Sequence, residues 1–154
     1  KGIGLREKIM KKRILVINDT QELLELFRIL LEKEGYEVIL SGVPTQKVAE
    51  IEQLHPDLVL LDILFRQERI GWQILEMLRT NRATASIPII ICSVAIKDVE
   101  EQEGYLNSQG IRVVYKPFDI DVLLSAIKSA LESPFRNELL RAEKEPPENT
   151  RDKS

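Results

Sequence analysis

The feature that most constrains this chain is a repeated alternation. Short runs of consecutive apolar residues are each followed by a longer stretch whose apolar residues recur every three or four positions. Ile14-Leu15-Val16-Ile17 is too short for a helix and, apolar at every residue, suits a strand covered on both faces. Beyond Asn18-Asp19, Thr20 stands where a helix cap belongs, and Leu23, Leu24, Phe27, Leu30 and Leu31 repeat at helical spacing up to Gly35, a residue that tolerates a left-handed helix end. Tyr36 to Leu40 reads as a second strand. Pro44 suits the first turn of a second helix, carried by Val48, Ile51 and Leu54 as far as His55-Pro56. Leu58-Leu61 is the most hydrophobic strand candidate, flanked by Asp57 and Asp62. Gly71 begins a third helix with Trp72, Leu75 and Leu78 on one face, and a polar loop follows from Asn81 to Ser86. Ile87 to Cys92 is β-branched and strand-like. Lys97 to Gln109 has helical length but contains Gly104 and few apolar residues, so it predicts a weakly held helix. Ile111 to Tyr115 is a fifth strand, and Asp119 caps a last helix with Val122, Leu123, Ala126, Ile127 and Ala130 facing inward.

Strands that alternate singly with helices must run parallel, joined by right-handed crossovers, so the fold class is α/β: a doubly wound, five-stranded parallel sheet. The expected organisation is a basic extension over residues 1–11, one domain over 12–133, and a tail over 134–154. That tail opens with a short helix, from Ser133-Pro134 through Leu140, and is disordered from Glu143 onward. Open sheets of this kind bind ligands outside the carboxyl ends of their strands. The residues placed there are Asn18 and Asp19, Asp62, Ser93 and Lys116.

Charge narrows the function further. The chain has 22 basic and 25 acidic side chains, a net −3, but residues 1–13 alone hold six basic and one acidic, so the body is acidic. An acidic body matches the phosphate backbone of nucleic acid poorly, and no direct DNA binding is expected. The single cysteine, Cys92, allows no intramolecular disulfide and, lying in a strand, reads as packing; with one histidine, His55, there is no Cys/His set for zinc. No apolar run approaches the ~20 residues that span a bilayer, so no membrane role and a cytoplasmic location are expected.

Two carboxylates gathered at one sheet edge repel each other unless a cation or a proton joins them. A hard divalent ion such as Mg²⁺ suits Asp19 and Asp62 together with a main-chain carbonyl. Lys116 is a second cation in reach of phosphate oxygens, and Ser93 is a hydroxyl donor; together they suit the spread negative charge of a phosphoryl group in transfer. Four segments at the strand ends, Ile14-Leu15-Val16-Ile17-Asn18-Asp19, Pro56-Asp57-Leu58-Val59-Leu60-Leu61-Asp62, Pro88-Ile89-Ile90-Ile91-Cys92-Ser93 and Tyr115-Lys116-Pro117-Phe118, occur in order over residues 12–131. In this the chain resembles the CheY-like receiver domains of two-component response regulators.

The resemblance implies a flavodoxin-like (βα)5 fold with strand order 2-1-3-4-5 and a cis bond at Lys116-Pro117. It implies that Asp62 accepts a phosphoryl group from a sensor histidine kinase or phosphotransfer protein, with Mg²⁺ held by Asp19, Asp62 and the Leu64 carbonyl; the amide of Asn18 keeps an oxygen acceptor for a metal-bound water. Ser93 would hydrogen-bond the phosphoryl group and Lys116 would pair with it. The chain would then be a signalling phosphoacceptor that catalyses only its own aspartyl phosphorylation and dephosphorylation. Its output would be a downstream protein docking on the face from Lys97 to Leu131, and a homodimer is compatible with it. Four departures bear on this. Asn18 stands where the family usually has an acid. The 63–70 segment is one residue longer and lacks the usual Met-Pro. Val94 replaces a small residue, and Val113 stands where an aromatic is common, in a turn one residue shorter. They favour, as the alternative, a receiver-like interaction module that works without phosphorylation. A doubly wound nucleotide or flavin enzyme is disfavoured because Asn18-Asp19-Thr20-Gln21 offers no phosphate cradle.

Overall fold

A computed structural model describes residues 11–42, 47–64, 70–94 and 96–132. The apolar runs become five strands: β1 (Arg13–Ile17), β2 (Glu37–Ser41), β3 (Leu58–Leu61), β4 (Ile89–Val94) and β5 (Arg112–Lys116). Between and after them lie α1 (Gln21–Lys33), α2 (Val48–Leu54), α3 (Ile70–Thr80), α4 (Lys97–Ser108) and α5 (Ile120–Glu132). All strand pairs are parallel and the sheet order is β2-β1-β3-β4-β5, the order the resemblance implies.

The double winding follows from strands that are apolar at every position. Leu15, Ile17, Val59, Leu61, Ile89 and Ile91 turn to one face and pack with Ile51 of α2, Ile74, Leu75 and Leu78 of α3, and Val99 and Leu106 of α4. The alternate residues Ile14, Val16, Leu58, Leu60, Ile90 and Cys92 turn to the other face, against Leu24, Phe27 and Leu31 of α1 and Leu123 and Ile127 of α5. Each such side chain fully buried contributes roughly 1.5–3 kcal/mol, which is why one-sided strands would not hold two helical layers. Cys92 is among them, and burial pushes its thiol up to about 11, so it stays a protonated packing group. Phe118, following Lys116-Pro117, stacks on Phe27 with ring centroids 5.6 Å apart.

Local chemistry moves several boundaries from their expected places. β4 starts at Ile89, not Ile87, because the Ile87 N–H is spent on the Thr84 carbonyl in a turn and Pro88 has no N–H to give the ladder. Within the expected polar loop, Thr84 is fully buried and its hydroxyl donates to the Leu78 carbonyl at 2.8 Å, closing the end of α3. Thr20 sits at the start of α1, but its hydroxyl makes no cap bond; it donates to Asp19 Oδ1 at 3.4 Å. Asn18 organises this turn instead, its Oδ1 accepting the Thr20 N–H at 2.8 Å. Asp119 does cap α5, accepting the Asp121 N–H at 2.8 Å. Gly35 ends α1 at φ 93°, and His55 ends α2 in the same left-handed region at φ 51°. The helix start expected at Pro44, the extension over 1–10 and the tail from 133 lie outside the described residues. Among the described residues, no helix is long and apolar enough to cross a membrane.

α4 is held on the sheet by few apolar contacts, with Val99 and Leu106 its buried residues. Polar bonds supplement them: Trp72 Nε1 donates to Asp98 Oδ2 at 3.3 Å, Arg79 donates to the Tyr105 hydroxyl at 3.0 Å, and the Tyr115 hydroxyl donates to Glu103 Oε1 at 2.7 Å. No heavy atom lies within 4 Å of where a Cβ at Gly104 would sit, so a methyl there meets open space. Gly104→Ala should therefore stabilise the protein by about 0.5–1 kcal/mol through helix propensity alone, seen as a higher urea midpoint with an unchanged m-value. A lower midpoint would show that the helix depends on this glycine.

Candidate functional site

The sheet register brings the predicted residues together at the carboxyl edge. Ile17 lies opposite both Ser41 and Leu61, and the backbone continues the ladders one step further, with Asn18 N–H donating to the Ser41 carbonyl at 3.1 Å and Asp62 N–H to the Ile17 carbonyl at 3.0 Å. Asn18 and Asp62 thus emerge side by side from β1 and β3. On the far side, Ser93 pairs with Tyr115 and Val94 with Lys116, which places the lysine at the end of β5. The Lys116-Pro117 bond is cis, as the resemblance implies.

Asp62 is the focus. The residue is 5% exposed, and each carboxylate oxygen has its own donors. Oδ1 accepts the Leu64 N–H at 3.1 Å; Oδ2 accepts from Lys116 Nζ and from Asn18 Nδ2, both at 3.3 Å. Burial holds the Asp62 carboxyl above the usual carboxylate range; Lys116, by charge and by hydrogen bond, and the Leu64 N–H pull it back only in part, and the negative charge of Asp19 adds to the rise. A carboxylate kept buried beside one cation, with a second carboxylate near, is a poor salt bridge and a good seat for further positive charge.

Gly71 explains how the backbone of this loop is held. Its N–H donates to the Ile63 carbonyl at 3.0 Å, and a Cβ there would run into the Asp62 carbonyl oxygen and Ile63 Cα. Only glycine lets the first turn of α3 close on the end of β3 at this distance. The helix start was legible in the sequence; this close approach was not, because it joins backbones that are eight or nine residues apart.

Ser93 is fully buried at the end of β4, and its hydroxyl is spent on the Val94 carbonyl, to which it donates at 2.9 Å. Val94 beside it is 43% exposed. For a divalent ion, the oxygens the sequence reading expects are the carboxylates of Asp19 and Asp62 and the Leu64 carbonyl; Asn18 Oδ1 is committed to Thr20. Among the described residues no group of three or more His, Cys, Asp or Glu side chains is placed to hold a metal. Two carboxylates and a carbonyl fit a hard ion that keeps several waters, and they fit a thiolate- or imidazole-seeking ion poorly.

Comparison with known proteins sets these observations in a family. The family described as the response regulator receiver domain matches residues 14–128. The chain is 31% identical over 122 residues to the DNA-binding response regulator MtrA of Mycobacterium leprae, covering 79% of this chain and 52% of that protein. It spans about half the length of such relatives. To the protein PilH of Pseudomonas aeruginosa it is 33% identical over 120 residues, covering 77% of this chain and 97% of PilH. Among solved structures, a response regulator from Desulfuromonas acetoxidans superposes with a TM-score of 0.65 at 25% identity, over 79% of this chain and 97% of that one. A CheY-like receiver domain from Methanospirillum hungatei gives 0.66 at 24%, over 83% and 98%. From the matched sequence, the sheet order and the Asp62–Lys116 pair at its carboxyl edge, this chain belongs to the response regulator receiver domains of two-component signalling.

Proposed function

We propose that the chain is a phosphoacceptor: Asp62 takes a phosphoryl group from a phosphohistidine on a sensor histidine kinase or phosphotransfer protein, and the modified site switches a protein-binding surface. The observation that carries this reading is the buried Asp62 carboxylate at the end of the central strand, facing Lys116 Nζ at 3.3 Å. An Asp62 oxygen attacks phosphorus, the phosphorus–nitrogen bond breaks, and the imidazole leaves as the neutral ring once it holds a proton. Three charged phosphoryl oxygens then stand where one carboxylate stood. Lys116 follows that charge outward from Oδ2, and the Leu64 N–H keeps the carbonyl oxygen of the acyl phosphate in place. Ser93 supplies a third contact after its hydroxyl leaves the Val94 carbonyl, a single rotation about χ1. Asp19, Asp62 and the Leu64 carbonyl would hold Mg²⁺, which when bound would supply charge neutralisation for the phosphoryl oxygens. The resulting strain at the carboxyl edge reaches α4, whose apolar grip on the sheet is thin.

Incubation of the full chain with phosphoramidate or acetyl phosphate and Mg²⁺, followed by intact mass, tests this. The parent should gain one phosphoryl mass and Asp62→Asn none. A parent that gains nothing supports the phosphorylation-independent interaction module instead, and an Asp62→Asn chain that still gains the mass overturns the assignment of the acceptor.

A further inference from the structure

The amide oxygen of Asn18, read from the sequence, suits a contact to a metal-bound water, but the hydrogen bonds around it assign the residue a different task. We infer that Asn18 is a positioning residue that donates a hydrogen bond to the Asp62 carboxylate, beside Lys116, and takes no part in holding the divalent ion; only the mention of an ion rests on the phosphoacceptor reading above. The residue is 2% exposed and held at three points. Its backbone N–H goes to the Ser41 carbonyl at 3.1 Å, its Oδ1 accepts the Thr20 N–H at 2.8 Å, and its Nδ2 reaches Asp62 Oδ2 at 3.3 Å.

These contacts fix which end of the amide faces the site. Turned by half a rotation, the amide would set its oxygen on a carboxylate oxygen and its NH₂ on a backbone N–H, so both contacts would turn repulsive. The oxygen has a further reason to stay. Thr20 makes no side-chain cap at the head of α1, so the Asn18 oxygen is what fastens the turn from β1 into that helix. Asn18 therefore offers the site a donor, and a donor repels a cation.

The consequence is a division of labour on Asp62. Oδ2 is held by two protein donors, Asn18 and Lys116, while Oδ1 has the Leu64 N–H and a lone pair left for a ligand from outside. An aspartate at position 18 would reverse this, placing an anion against Oδ2 and near Asp19, and that arrangement needs a divalent ion to hold it together. The asparagine lets the acceptor carboxylate stay in position with no ion bound.

Two measurements on the full chain decide the matter. In the metal-free protein, the Asn18 side-chain NH₂ resonance, identified by its loss in Asn18→Ala, should exchange slowly with solvent and remain protected at saturating magnesium chloride. Magnesium chloride titrations followed by calorimetry should give Asn18→Ala a Kd no more than about twofold weaker than the parent, and Asn18→Asp a Kd about tenfold tighter, since carboxylate count sets affinity for such ions. An Asn18 amide in fast exchange in the metal-free protein, or Asn18→Ala weakening Mg²⁺ by more than that, would overturn the assignment. Slow exchange in a protein that takes up no phosphoryl group would remove the phosphoacceptor reading and leave the donor role standing.

Discussion

Lys116→Met should cut phosphoryl uptake by a factor of about 10² to 10³ and make stability fall more steeply as pH rises. Methionine keeps the apolar stem of the lysine and removes the charge, so packing around the stem is disturbed little. The rate falls because the cation 3.3 Å from Asp62 Oδ2 is the protein group placed to follow negative charge onto the phosphoryl oxygens. The stability effect comes from the carboxylate left behind. Burial already holds Asp62 above its ordinary value with Lys116 opposing the rise, so loss of the lysine raises it further. With its folded value above the unfolded one, Asp62 contributes stability that is fully present below the unfolded value and is lost as pH rises through the folded one. Parent and variant should therefore unfold at similar urea concentrations in acid well below the ordinary carboxylate value, where Asp62 is protonated in both. At neutral pH they should separate by about 2 kcal/mol, the scale of a hydrogen bond to a charged group. Parallel stability curves from acid to neutral pH would show that the pair contributes nothing to this titration.

How much of this was legible in the sequence depended on whether a signal was local. Continuous apolar runs give doubly covered strands wherever they occur, so β1, β3 and the sheet's two-sided core could be read from Ile14–Ile17 and Leu58–Leu61 alone. Asp62 and Lys116 could be placed at one edge because parallel strands deliver their carboxyl ends to the same side. What the sequence hid were bonds between elements. Nothing in the spacing of Tyr115 and Glu103, or of Trp72 and Asp98, announces that they meet, because each pair is brought together by the way α4 lies on the sheet. Asn18 was legible as a polar residue at a strand end, but which end of its amide faces Asp62 is set by Thr20, and a residue's own sequence position says nothing of that. Capping rules misread the head of α1 for the same reason: they credit the hydroxyl of Thr20, which makes no cap bond, and do not see that the Asn18 oxygen holds the Thr20 N–H in the turn before the helix.

Gly71→Ala should lower stability by about 2–3 kcal/mol and also impair phosphoryl uptake, a large response to one methyl group on a helix. On propensity alone the change should help, since alanine is the better helix former by about 1 kcal/mol. Sterics override that gain, because the added carbon would run into the Asp62 carbonyl oxygen and Ile63 Cα and come within 2.6 Å of the Ile63 carbonyl oxygen. All of these are backbone atoms, so no rotamer change can relieve the contact; the start of α3 and the end of β3 must move apart. That movement breaks the Gly71 N–H bond to the Ile63 carbonyl and shifts the segment whose Leu64 N–H fixes Asp62 Oδ1. The acceptor oxygen would then be misaligned with Lys116, and a displacement on the order of 1 Å is enough to slow a positioned reaction about 10²-fold. Gly104→Ala is the control, the same substitution in a helix where nothing lies within 4 Å, with stability expected to change in the opposite direction. The pair of variants separates propensity from close approach. If Gly71→Ala melts with or above the parent, the approach of α3 to Asp62 is looser than this packing requires, and the glycine is not what sets the acceptor in place.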